Sequence, residues 1–215
     1  MYQTASVPRN LRASDRPPTS VSLLAPTGKR ANTRLAPRST ARSVWQPARV
    51  QVIEASLADA AALQSLHITT WMATYRGLVP ESFYRERSTA HRDRDWADLV
   101  RGQRARGGGV LIARSYGRID GLCQYGPTED NDDDPLAVAQ VHRLYVHPLR
   151  QRQGIGRSLV SRATACLQGK GMVGVTLWVL ESDSGARGFY EHLGWQSDGS
   201  RRFDGAVDVR YRRLV

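Results

Sequence analysis

The sequence has little lysine, little cysteine and no long apolar run. Of its 31 basic residues only Lys29 and Lys170 are lysine. That bias speaks of a GC-rich coding sequence rather than of structure. Cys123 and Cys166 are the only cysteines in 215 residues. Neither sits in a metal-ligand spacing, so no metal is expected, and a reduced, cytoplasmic protein is the simple reading. No stretch approaches the ~18 apolar residues of a membrane helix, so no membrane partner is expected. The phosphate-loop pattern ending in Gly-Lys-Ser/Thr is absent, which disfavours NTP hydrolysis. Acid is nearly missing from the first 49 residues, where Asp15 stands against nine Lys/Arg. Residues 50–215 hold 22 basic and 19 acidic residues. The net charge of +11 is therefore mostly a property of the first segment, and no specific nucleic-acid partner is expected of the rest.

Residues 1–49 are rich in Arg, Ser, Thr, Ala and Pro and show no sustained period. Such a segment buries too little to offset its ordering entropy, so a disordered basic extension is expected. A start of translation near Val44 or Val50 and an organelle transit peptide are alternative readings of the same composition. Residues 50–215 suffice for one domain with its own core.

Within that domain, residues 50–56 read as a strand. Residues 57–75 read as a helix capped by Ser56, with Leu63, Leu66, Ile68 and Met72 at roughly helical spacing. Pro80 opens a second short helix. Residues 91–106 read as a charged helix with Trp96, Leu99 and Val100 inward. A hairpin around Gly117-Arg118 follows, then the acidic loop "PTEDNDDDP" and the strand "LAVAQVHRLYV". Ile155, Leu159, Ala163 and Leu167 form the buried stripe of a helix over 154–169. "GVTLWVL" is apolar enough for a central strand buried on both faces. A short helix closed by Gly194 and two strands around Asp204-Gly205 complete the chain. This order predicts a mixed α/β fold with a strand–helix–strand unit at its centre.

Gly154 and Gly156 fall where that central helix begins. Glycine there lets backbone N–H groups approach an anion. A dinucleotide turn fits poorly. Seven residues, His147 to Gln153, separate Val146 from Gly154, and Leu159 stands where a third glycine belongs. The stretch "LYVHPLRQRQGIGRSLV" resembles the acyl-CoA-binding signature of the GNAT superfamily of N-acetyltransferases, Gln/Arg-x-x-Gly-x-Gly/Ala, here Gln151, Gly154 and Gly156. "WVLESDSGARGFYEHLGW" resembles the second half of that signature, in the right order and spacing.

The resemblance implies the GNAT fold, an α/β fold with a mixed, mostly antiparallel central sheet, in residues 50–215. It implies acetyl-CoA as co-substrate and an amine, of a small molecule or a peptide, as acceptor. Gln151, Arg152, Gln153, Gly154, Ile155, Gly156 and Arg157 would hold the pyrophosphate. Leu144, Tyr145 and Val146 would meet the pantetheine arm through their backbone on a strand that splays from its neighbour. Arg150 would add charge. Tyr190 matches the family tyrosine proposed as general acid for the CoA sulfur. The glutamate that many relatives use as base appears as Gln140, which takes no proton. His142, two residues on, is a substitute with a suitable pKa. Asp183 would touch the CoA arm or cap a helix. Trp71, Tyr75 and Arg76 would line the acceptor pocket, and the acidic loop, if it faced that pocket, would favour a cationic acceptor. A non-catalytic acyl-CoA sensor and a homodimer stay open.

Overall fold

The computed structural model describes residues 50–215. The basic segment 1–49 lies outside the described residues. Seven strands form one sheet: β1 (Gln51–Glu54), β2 (Gly109–Ser115), β3 (Arg118–Pro127), β4 (Val138–Val146), β5 (Gly174–Leu180), β6 (Gln196–Phe203) and β7 (Val207–Leu214). Their order is β1-β2-β3-β4-β5-β7-β6. Every pairing is antiparallel except β4–β5. Five helices accompany the sheet: α1 (Ala60–Tyr75), α2 (Glu81–Arg92), α3 (Trp96–Ala105), α4 (Ile155–Gln168) and α5 (Ser184–His192).

Strand alternation divides the core between two faces. Leu111 and Ala113 of β2 and Cys123 of β3 pack with Ile155, Leu159 and Leu167 of α4. Their neighbours Val110, Ile112 and Leu122 pack with Leu63 and Leu66 of α1 and Trp96 of α3. β5 is buried along nearly its whole length, as its unbroken apolar run requires.

Local chemistry sets the helix boundaries. Asp95 caps α3, accepting from the N–H groups of Ala97 (2.7 Å) and Asp98 (3.1 Å). The charged helix expected over 91–106 is therefore two elements, since His91 and Arg92 end α2. Ser56 and Asp59 form a reciprocal cap on a short 3-10 turn before α1. The buried side chains of α1 are Leu63, Leu66, His67, Thr70 and Trp71. Ile68 and Met72, expected inward, are only half-buried. The buried stripe keeps strict three-and-four spacing from Leu63, but two of its positions are polar. The β2–β3 turn sits one residue earlier than expected, with positive φ at Tyr116 (47°) and Gly117 (77°).

The acidic loop before β4 differs most from expectation. It is drawn onto Arg210 of β7, a side chain only 4% exposed. Asp132 accepts a bidentate pair from Arg210, both bonds 2.7 Å. Asp198 accepts from its Nε at 2.6 Å, and Asp130 and Asp133 lie at 3.4 and 3.6 Å. Arg212 holds Asp133 at 2.8 Å. Four carboxylates are thus engaged with two arginines, although Asp132 stays largely exposed and Asp130 also accepts from Trp178 Nε1 at 2.9 Å. The hydrogen bonds from Arg210 hold the Asp132 carboxyl down at about 2.

Removing Arg210 takes the nearest guanidinium from Asp132 and Asp198, while Asp133 keeps its 2.8 Å contact with Arg212. Arg210→Met is expected to lower stability by about 1.5–3 kcal/mol in denaturant unfolding, the range for hydrogen bonds to charged groups. Because the Asp132 pKa is depressed, its contribution is complete above the ordinary carboxylate pKa and is lost as pH falls towards 2. Acid unfolding of the variant should lack this component.

Candidate functional site

The parallel β4–β5 ladder is short. It runs from Val138 opposite Gly174 to Val141 opposite Leu177 and stops there, although both strands continue. The cause lies on the other side of β4. Opposite β3, Tyr125 pairs with Val141 and Gln124 with Arg143, so His142 is an extra residue. Such a bulge bends and twists its strand. From His142 to Val146, β4 keeps its β3 partner but has no strand on its β5 side. This is the splayed edge expected for Leu144, Tyr145 and Val146. Leu144 and Val146 pack towards α4, and Tyr145 packs towards α1.

The glycine loop closes the end of this opening. Gly154 adopts φ +79° as the N-cap of α4, and Arg152 has φ +60°. A Cβ on Gly156 would lie 3.3 Å from Phe189, so glycine there lets α4 and α5 approach closely. Gln151, Arg152, Gln153 and Arg157 are exposed, while the Ile155 side chain is buried in the core and offers only backbone. Successive N–H groups at a helix N-terminus with two exposed arginines fit a pyrophosphate. Arg150 is engaged elsewhere. Its Nε lies 3.5 Å from buried Asp120, which also accepts from Ser115 and whose carbonyl accepts from the N–H of His147 (2.9 Å). Asp120, unremarkable in sequence, moors the strand end from which the loop departs.

Tyr190 on α5 is 8% exposed and packs against Phe189, Trp195 and Tyr211. Its hydroxyl makes no hydrogen bond among the described residues. Burial, with Cys123, Tyr145 and Asp183 nearby, raises its pKa well above the ordinary phenol value. Asp183 caps α5, accepting from the Ala186 N–H at 2.9 Å.

A cavity of about 320 Å³ lies beside the bulge. Gln140, His142 and Arg143 of β4 and Gln124 of β3 line one side. Arg94, which precedes α3, Gln103 within it and Arg106 at its C-terminus line another, and Trp178 of β5 and Arg202 of β6 a third. Glu129 is the one acid among the lining residues. Gln140 Oε1 accepts from the Glu129 N–H at 3.0 Å. Burial lowers the His142 pKa, and Glu129 opposes that shift. Trp71, Tyr75 and Arg76, expected in the acceptor pocket, do not line this cavity. Trp71 is 4% exposed and stacked between Tyr75 (5.1 Å) and Tyr84 (5.2 Å). Arg76 sits over the Tyr84 ring at 5.9 Å. The four-residue spacing of Trp71 and Tyr75 therefore reflects one packed face. Arg94, Arg143 and Trp178 were not singled out in the sequence. Arg143, next to His142 in a strand otherwise apolar at that end, was the available signal.

Known proteins of similar sequence and fold are acetyltransferases. The profile of the acetyltransferase (GNAT) domain matches residues 106–197. A probable N-acetyltransferase of Mycobacterium tuberculosis is 28% identical over 156 residues, covering 72% of this chain and 84% of that protein. The PaiA N-acetyltransferase of Thermoplasma acidophilum, solved in complex with coenzyme A, superposes with a TM-score of 0.62 at 22% identity, over 78% of this chain and 99% of that one. A putative acetyltransferase of Salmonella typhimurium, solved with acetyl-CoA, gives 0.58 at 17% identity, over 77% and 94%.

Gly154→Val puts a β-branched residue at φ +79° and strains the loop by about 1–3 kcal/mol. Calorimetry should then show CoA affinity reduced about tenfold or more, since ~1.4 kcal/mol is a factor of ten. Unchanged affinity would separate the loop from the phosphates.

Proposed function

Because this chain is a GNAT-superfamily acetyltransferase, we propose that its residues 50–215 transfer the acetyl group of acetyl-CoA directly to a primary amine of a small molecule or peptide. The observation that carries the reading is the parting of β4 from β5 after Val141, with a positive-φ glycine loop at one end and Tyr190 nearby. The parted edge offers backbone groups of Leu144–Val146 to a pantetheine arm. The loop offers N–H groups and the charges of Arg152 and Arg157 to a pyrophosphate. Trp71 and Tyr75 pack α1 against α2, and Tyr75 lies near enough to Tyr190 and Asp183 to feel their charge, which keeps it a candidate for the acceptor side.

In this mechanism the amine lone pair attacks the thioester carbonyl carbon, whose oxygen is stabilised by a backbone N–H of the parted strand, Val146 being the candidate. The carbon–nitrogen bond forms and the carbon–sulfur bond breaks. The electron pair leaves on sulfur, and Tyr190 supplies the proton that makes it a thiol. Burial pushes the phenol pKa up, so the donor holds its proton near pH 7. The amine proton passes to His142, directly or through water. Its lowered pKa leaves the imidazole neutral near pH 7 and able to accept. Gln140 takes no part in proton transfer. Its carbonyl instead holds the start of the acidic loop. An acyl-CoA sensor without turnover is the second reading, favoured by glutamine at this position.

Tyr190→Phe keeps the ring packing and removes only the donor. It is expected to lower kcat by ~100-fold or more with acetyl-CoA affinity unchanged. Near wild-type turnover in a regime where chemistry limits the rate removes Tyr190 from the mechanism.

His142→Gln should lower kcat/KM and flatten the acid limb of its pH profile. That limb should lie below the ordinary histidine pKa, because the neutral form is the active one and the folded pKa is depressed. A limb that persists unchanged in the variant assigns it to another group. Protein beginning at residue 50 should retain full activity, as every group in the mechanism lies beyond that point.

A further inference from the structure

The charge of the cavity is one-sided. Four of its lining residues are arginines, Arg94, Arg106, Arg143 and Arg202, against the single acid Glu129. Arg202 is satisfied: it binds Asp208 at 3.0 and 3.1 Å and lies on the Trp178 ring at 4.4 Å. The other three have no carboxylate partner among the described residues. Arg143 donates only to the neutral Oε1 of Gln124. The Nε of Arg94 is buried and has no hydrogen-bond partner. Both residues are half-buried, so each guanidinium gives up part of its hydration without a carboxylate in return. Here two lie close enough that burial and the charge of Arg143 together lower the pKa of Arg94.

The neighbouring histidines add no compensating charge. His67 and His91 beside them are held neutral, at about 3 and 4, by burial and by these same arginines. Of the acids nearby, Asp132 and Asp133 are paired with Arg210 and Arg212, and Asp130 accepts from the indole N–H of Trp178 at the cavity wall (2.9 Å), so no carboxylate bonds to Arg94, Arg106 or Arg143 among the described residues. A cavity of this size holds a small molecule, and guanidinium forks match oxyanions geometrically.

We infer that the acceptor is a small amine that also carries an oxyanion, a carboxylate or a phosphate, held by Arg94 and Arg143 while its amine meets His142. This rests on the acetyltransferase reading and specifies its substrate class. Arg94 and Arg143 are then specificity residues that act on the acceptor and not on acetyl-CoA. A polyamine, carrying only positive charge, is rejected by the same field.

The test pairs amines that differ in the oxyanion alone: β-alanine with ethylamine, and phosphoethanolamine with ethanolamine, with putrescine as the cationic competitor. The oxyanion-bearing member should be acetylated with a kcat/KM about tenfold or more above its partner. Which of β-alanine and phosphoethanolamine leads separates carboxylate from phosphate. Arg94→Gln and Arg143→Gln should each erase most of that preference without changing acetyl-CoA affinity. A preference for putrescine, or an oxyanion preference untouched in both variants, overturns the inference. Calorimetry of the CoA-saturated protein with succinate and with inorganic phosphate gives a readout independent of turnover. Binding that is lost in Arg94→Gln upholds the anion site even if no amine reacts, in which case the enzymatic reading alone falls. No binding of either anion at millimolar concentration, together with no oxyanion preference, sinks the proposal.

Discussion

One lost ladder organises this molecule. β4 and β5 are each long enough to pair along their whole length, yet their parallel bonding ends at Val141. The extra residue at His142 turns β4 away while β3 holds it on the other side. A strand end so released has backbone donors and acceptors that the sheet does not satisfy. Buried polar groups of that kind require a partner. The glycine loop and the cavity both sit at this parting, and each depends on it. Without the bulge the strands would zip closed, His142 and Arg143 would no longer share one side of β4, and the loop would have nothing to close.

The second organising theme is the partition of charge. The sequence of the loop after β3 looks like a patch of negative potential. Folding pairs that patch with Arg210 and Arg212 of the last strand, which nothing in the local sequence marks. On the other side of Trp178, which touches both Arg210 and Asp130, arginines from three elements surround a cavity whose lining holds one acid, Glu129. Net charge of the domain, near balance in composition, conceals both halves of this arrangement.

Much of the architecture was legible because it is written in local periods. The apolar run of β5, the four-residue stripe of α4 and the glycines flanking its start each depend on few neighbours. The order of elements then left little freedom in topology. What escaped the sequence depends on partners far along the chain. His67 and Thr70 occupy core positions that polar residues disguise. Trp71 and Tyr75 read alike as pocket residues or as one packed face, and their stacking with Tyr84 is visible only in the fold. The bulge at His142 is a property of β3 and β4 together, so no pattern within β4 reports it. Arg94 gained meaning only when the fold brought it beside Arg143.

The packing of α2 joins distant parts of the chain. Phe83 fills the space beside Gly205, where any Cβ would run into its ring, and Arg87 pairs with Asp204 across 117 residues of sequence. The same helix is also held locally, since Tyr84 stacks on Trp71 of α1 and Gln64 donates to the carbonyls of His91 and Arg92. Its aromatic cluster with Trp71 and Leu180 is separate from the core built on α4. One helix thus ties α1 to the last hairpin without passing through the main core.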